Sequence, residues 1–236
     1  VIVALLGRTS GDSSVGLLLL GAFVLVIVGI AVGSKVAARR RERMLAEFAP
    51  SIGMEHSPRD DVTVTARLGR LPLFEKGRDR RAFNVMRGTS HGRRVAVFDY
   101  HYKTGSGKHT HHHSQTVAHV RAEGVDLPLF WMRPHGMLDK LASLVGMRDI
   151  DFSDDEAFSK RWFLKAQDEE AARRLFTPRV RSQFAPDRPL HVEAGGPDLI
   201  VYREGKKADP EGIRALLEDA FRMTELFTRA GTPGRS

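Results

Sequence analysis

An α+β domain attached to one N-terminal transmembrane helix is the fold class this sequence predicts, on three observations. Residues Val15 to Gly33 contain no charged and no strongly polar side chain. About seven short runs with strand-like alternation lie between Arg81 and Arg203, separated by turn residues. A long amphipathic stretch opening at Pro210 closes the chain.

The first observation sets the topology. The uncharged run holds 19 residues, which as a helix rise about 28 Å, close to the ~30 Å hydrocarbon core of a bilayer. A helix satisfies its own backbone hydrogen bonds, as the bilayer interior demands. A cleaved signal peptide places its positive charge before the apolar run. Here only Arg8 precedes it, offset by Asp12, while Lys35, Arg39, Arg40, Arg41 and Arg43 come after it. Positive flanks stay in the cytosol, so the sequence predicts residues 1–14 as an extracytoplasmic tail and residues 15–34 as the membrane helix. Residues 35–50 are then a basic juxtamembrane helix and residues 51–230 a cytosolic domain. The localisation expected is the plasma membrane, and the first partner is the lipid bilayer. Gly29 and Gly33 form a small-xxx-small pair, a candidate homodimer contact.

Charge obeys the same partition. The chain carries +8. Five basic residues and Glu42 give residues 35–43 a charge of +4, and residues 1–14 sum to zero. The domain is left with about +4 over nearly two hundred residues. The juxtamembrane charge is what anionic headgroups attract, so no nucleic-acid partner is expected. Cysteine is absent, which excludes a disulfide framework, thiolate metal sites and a cysteine nucleophile.

Along the chain, Val36 to Ala49 continues the anchor as helix, ending near Pro50. Val62 to Leu68 fits a short helix or a strand, and Pro72 argues against a central strand at Leu71–Phe74. Arg81–Gly88 and Arg93–Tyr102 are strands around a hairpin turn, with Ala96, Phe98, Tyr100 and Tyr102 on one face. Ser114–Ala122 and Leu127–Met132 supply two more. Met137–Val145 reads as an amphipathic helix. Ser153 and Glu156 form a capping box for a short helix. Arg161–Ala166 is a strand, Asp168 caps a helix, and Thr177-Pro178 starts another turn of helix. Leu190–Ala194 and Leu199–Arg203 pair around Gly195-Gly196-Pro197. Asp209 caps the last helix, whose core face is Ile213, Leu216, Leu217, Ala220, Phe221 and Phe227. Residues 231–236 are expected as a disordered tail. Consecutive strands with tight turns indicate a mainly antiparallel sheet. The order of elements resembles the pleckstrin-homology-like architecture, a bent sheet closed by a C-terminal helix, and that analogy carries no function.

Motifs for catalysis fail on context. Gly88-Thr-Ser-His-Gly92 matches the nucleophile elbow, which needs strand, sharp turn, then helix. The next residues, Arg93 to Tyr102, read as strand, so a serine hydrolase using Ser90, with His91 or His101 as base, is a distant alternative. Gly105-Ser-Gly-Lys-His109 lacks the upstream glycine and the hydroxyl residue after Lys108 that a phosphate loop requires. Asp149-Ile-Asp151 and Asp154-Asp-Glu156 lack the glycine and terminal glutamate of a calcium loop. The histidine cluster, His101, His109, His111, His112 and His113, is the most unusual feature. On an extended strand His109, His111 and His113 point one way, as a candidate zinc site. No other cofactor is expected. Asp99, between apolar neighbours, calls for a buried donor.

Phe98-Asp-Tyr-His-Tyr102, Gln115-Thr-Val117, Leu127-Pro-Leu-Phe130 and Asp149-Ile-Asp-Phe152 give a texture similar to a family of uncharacterised bacterial membrane-anchored proteins. The resemblance spans roughly Arg81 to Leu226. It implies a single anchor and a cytosolic α+β domain, with no catalytic residues to carry over. The leading expectation is a non-enzymatic interaction or regulatory domain with a protein partner. A metal-responsive protein using the His101–His113 cluster is the alternative.

Overall fold

The structure, a computed structural model, describes residues 10–59, 63–135, 146–184 and 189–231. It divides into two compact units, residues 1–44 and residues 45–236.

The first unit is the body of helix α1 (Ser10–Phe48), 39 residues long. It is long and apolar enough to cross a membrane. Its large apolar side chains, among them Leu19, Phe23, Leu25 and Ile30, are exposed. Among the described residues, a Cβ added at Gly29 or Gly33 would meet nothing within 4 Å outside the helix's own backbone. The apolar run and the basic segment form one uninterrupted helix. Pro50 falls in a 3-10 turn, Ala49–Ile52, closed by Gly53 in the left-handed conformation (φ 68°).

The second unit is built on one sheet of nine strands. They are β1 (Met54–Arg59), β2 (Arg78–Ser90), β3 (Arg93–Thr104), β4 (His111–Arg121), β5 (Leu127–Pro134), β6 (Arg148–Asp149), β7 (Trp162–Ala166), β8 (His191–Gly196) and β9 (Asp198–Tyr202). Their order is β1-β2-β3-β4-β9-β8-β5-β7-β6, and every pairing is antiparallel. Seven of them match the strands expected from the sequence. β1 carries no such signal because Pro58 and its charged residues suit only an edge, and β6 is only two residues long. The sheet runs linearly from β1 to β6 with helices on both faces, so the pleckstrin-homology analogy does not hold.

The helices obey local chemistry. α2 (Thr63–Arg67) resolves the helix-or-strand ambiguity as helix, and α3 (Pro72–Glu75) starts on Pro72. α4 (Glu156–Arg161) is capped by Asp155, whose carboxylate accepts the Phe158 amide at 3.0 Å. The expected Ser153–Glu156 box is therefore replaced, because Asp155 stands directly before the first turn. Asp168 caps α5 (Glu169–Leu175) and Thr177 caps α6 (Pro178–Arg181), in agreement with the sequence. Asp209 accepts the Gly212 amide at 2.7 Å, before α7 (Pro210–Gly231). On α7 Phe221 is only half-buried, and Met223 takes the core position instead. The helix expected over Met137–Val145 and the tail beyond Gly231 lie outside the described residues.

Register divides the sheet's faces. Ala96, His119, Ile200 and Glu193 lie opposite one another across β3, β4, β9 and β8, so they share one face. That face, face A, is covered by the segment holding α2 and α3, with Leu68, Leu71, Leu73 and Phe74 packed on Tyr100, Tyr102 and Tyr202. The other, face B, presents residues such as Phe130, Val201 and Ala118. There α7 packs on β4 and β9 while α5 packs on β5 and β7.

Candidate functional site

Face A carries an unusual load of buried polar side chains. Glu193 is wholly buried. Its carboxylate accepts the Leu73 amide at 2.9 Å and the Tyr202 hydroxyl at 2.7 Å. Burial pushes this carboxyl up to about 7, against the pull of the Leu73 amide, Lys76 and Tyr202. Burial, and then Glu193 itself, raises the Tyr202 phenol well above its ordinary range. Beside it, His191 stacks on Tyr202 with ring centroids 4.8 Å apart. His191 and the buried Lys76 both approach Glu204, at 3.6 and 3.8 Å. These groups hold one another in place under α3, so they act as a structural seam.

Toward the β1 edge the same face opens into a cleft of about 490 Å³. Its apolar wall is Val64 and Leu68 with Ala96. Its polar lining comes from Glu55, Arg67, Arg87, Thr89, Arg94 and His119. Register explains the convergence, because Glu55, Arg87, Ala96 and His119 stand opposite one another on four neighbouring strands.

A ladder of ion pairs borders the cleft. Arg94 pairs with Glu123. Arg121 donates to Glu123 at 2.9 Å and to both oxygens of Asp198 at 3.0 and 2.8 Å. His119 Nε2 lies 2.9 Å from Asp198, and Arg70 lies 3.6 Å from it. Burial pulls the Asp198 carboxyl upward, but His119 and Arg121 outweigh it and hold it below the usual carboxylate range. Arg67, Arg87 and Arg94 line the cleft with Glu55, while Arg70 and Arg121 lie on Asp198 at its border.

The residues singled out in the sequence lie elsewhere. Lys35, Arg39, Arg40, Arg41 and Arg43 are all on α1. Ser90 and His91 touch, Oγ to Nδ1 at 3.0 Å. They sit on an exposed two-residue turn in which His91 and Gly92 take φ of 51° and 71°, the twist a tight hairpin requires. His109 is in a 3-10 turn, His111 opens β4, and His113 is engaged by Thr104 at 2.8 Å and stacked on Tyr102 at 4.6 Å. Among the described residues no three or more histidine or carboxylate side chains gather as a metal ligand set. The histidines that meet are His101 and His112, with ring centroids 5.5 Å apart. Burial, then the neighbouring His112, lowers the His101 imidazole below its ordinary range. Asp99 finds its donors, Asn84 at 3.0 Å and Thr116 at 2.8 Å.

The sequence carries only a weak signal for the cleft. His119 interrupts an otherwise apolar run, Val117 to Val120, and Arg87 and Arg94 flank a hairpin turn. Sequence alone does not show that β1 and α2 come to lie beside them.

No family model matches the chain. No curated protein matches it. Among solved structures, the chain is similar to the mycobacterial trehalose monomycolate transport factor A, TtfA, at a TM-score of 0.59 and 16% identity, over 84% of this chain and 99% of that one. At that identity the likeness is one of fold.

Proposed function

We propose that the protein is a single-pass membrane protein whose domain acts on the cytosolic side as a non-enzymatic accessory factor to a membrane transport process, with a protein partner. The observation that carries the reading is α1, a helix with apolar side chains facing outward and long enough to span a bilayer, followed by Lys35, Arg39, Arg40, Arg41 and Arg43. The accessory role is supported by the fold shared with a protein named as a transport factor. The groups of face A fit it too, since most are satisfied by one another.

The test is membrane extraction of the full chain with a reporter at its C-terminus. The protein is expected to resist carbonate extraction, and deletion of residues 15–33 is expected to release it. A fluorescent-protein fusion, active only in the cytosol, should fluoresce, and an alkaline phosphatase fusion should be silent. An active phosphatase fusion overturns the topology. Release of the intact chain by carbonate overturns the anchor.

A further inference from the structure

We infer that the basic end of face B, where Arg81, Lys206 and Lys207 stand beside His101 and His112, is a docking surface for the anionic headgroups of a lipid bilayer. The β9–α7 loop lands on that face at Thr116, whose hydroxyl accepts the Ala208 amide at 2.9 Å. Register sets the rows beyond it. Arg81, His101 and Ser114 lie opposite one another on β2, β3 and β4, and Lys103 lies opposite His112 one step farther out. Arg81 and His112 are exposed, as are Lys206 and Lys207 on the loop. Arg81, Lys206 and Lys207 make no ion pair among the described residues, whereas Lys103 is taken by Asp79 at 2.9 Å. Asp209, at the end of the loop, is turned to the Gly212 amide. The convergence of charge is felt at His101: after burial, His112, Lys103, Lys207 and Arg81 all push its imidazole down. Three strands and a loop thus bring free cations to one open surface. No exposed phenylalanine, tyrosine or tryptophan stands in these rows for a nucleic-acid base to stack on. Hydrated lysine ammonium groups on a sheet face suit the diffuse negative potential of a headgroup layer.

The bilayer as partner rests on the membrane-anchored reading, whereas the patch itself lies wholly within the second unit. The experiment uses the full chain in nanodiscs of phosphatidylcholine alone or with about one-third phosphatidylglycerol. The chain has no cysteine, so Ser106→Cys places a single environment-sensitive dye on the exposed β3–β4 turn, at the end of the strands that carries the patch. Ser90→Cys places the same dye at the opposite end of β2 and β3, about 30–40 Å away by strand length. Emission at position 106 is expected to rise about threefold on anionic discs relative to neutral ones, and to fall back in about 0.5 M salt. Emission at position 90 should be the same on both. Lys206→Glu with Lys207→Glu, on the loop, and Arg81→Glu, on β2, should each remove about half of the rise or more. All three positions are exposed, and α1 with its basic segment is identical in every variant, so the anchor's own attraction to anionic lipid cancels.

Equal emission on the two kinds of disc overturns the proposal. So does a rise that both variants leave intact, or one of equal size at position 90. Polyglutamate that raises the emission on neutral discs as far as anionic lipid does makes the patch a seat for an acidic protein, and overturns it as well. A chain stripped from membranes by carbonate, yet floated by anionic vesicles in a manner that both variants weaken, refutes the anchor and leaves the docking surface standing.

Discussion

The two faces of the sheet solve the burial problem in opposite ways. Face B is sealed mainly with hydrocarbon, its buried Asp99 held by Asn84 and Thr116. Phe227 of α7 meets Phe130, Phe176 and Phe184 at ring-centroid distances of 5.2, 5.3 and 6.3 Å. Face A buries Glu193, His191, Asp198 and His119 and answers each with a partner. A buried apolar ring gains from area and shape alone. A buried carboxylate is tolerated only while its hydrogen bonds last. Face B is therefore where stability resides, and face A is where charge and conformation are coupled. The cleft opens on face A, where the cover is two short helices and not a long one.

The largest effect expected is on face B. Phe227→Ala removes a fully buried ring at the centre of the aromatic cluster and should cost about 3–5 kcal/mol. Urea denaturation at pH 7 measures it. A loss under 1 kcal/mol would mean the cluster is not the keystone that separates the two faces.

Face A should instead respond to pH. Glu193 has its folded-state carboxyl raised to about 7 from an ordinary 4.5. A raised carboxyl favours the protonated fold, so this contribution is complete below about pH 4.5 and is lost as pH rises through about 7. The loss amounts to at most about 3 kcal/mol. Glu193→Gln should flatten the stability profile between pH 5 and 8, read as urea midpoints, while Phe227→Ala lowers the profile without bending it. Identical slopes in the wild type and E193Q would remove Glu193 from the account.

Asp198 has the opposite sign. Its carboxyl is held below the ordinary range, so its contribution is present above about pH 4 and fades as the solution is made more acid. Asp198→Asn takes the anion from His119 and leaves Arg121 only Glu123, and should cost about 1–3 kcal/mol near neutrality. The difference from wild type should shrink toward pH 3. A penalty independent of pH would make the defect one of packing.

The two faces also differ in how far the sequence reveals them. Face B is readable because its rules are local: the caps at Asp168, Thr177 and Asp209 mark where helices start, and Ile213, Leu216, Ala220 and Phe227 recur at helical spacing. The strand alternation of β3 is equally plain at Ala96, Phe98, Tyr100 and Tyr102. That row belongs to face A, whose buried polar groups are not readable. His191-Val192-Glu193-Ala194 looks like a strand with one side in water. Glu193 is buried because the Leu73 amide comes down on it from 120 positions earlier in the chain. The cleft depends on the same distant cover. No periodicity within β8 or β2 encodes where the α2–α3 segment lands.

The histidine tract sharpens the comparison at its margin. His113, stacked on Tyr102 and bonded to Thr104, belongs to face A, so His113→Ala should cost about 1 kcal/mol. His109→Ala and His111→Ala, both exposed, should cost less than about 0.5 kcal/mol each. If the tract takes up zinc, the stability gain with added metal should vanish in the triple variant, as thermal melts with and without chelator would show. A zinc-dependent gain that survives the triple variant would move the metal to His101 and His112.

The smallest effect is expected at Ser90, and it separates a turn from an active centre. Ser90 closes the β2–β3 hairpin opposite Arg93, where Gly92 and His91 supply the left-handed backbone. Its hydroxyl touches the adjacent exposed imidazole. A hairpin offers no helix N-terminus to stabilise an oxyanion. Ser90→Ala should therefore shift stability by no more than about 0.5 kcal/mol, and a fluorophosphonate probe should fail to label the wild type. Stoichiometric labelling at Ser90, lost in the alanine variant, would place an activated nucleophile on the turn and make this hairpin, not the cleft, the reactive part of the domain.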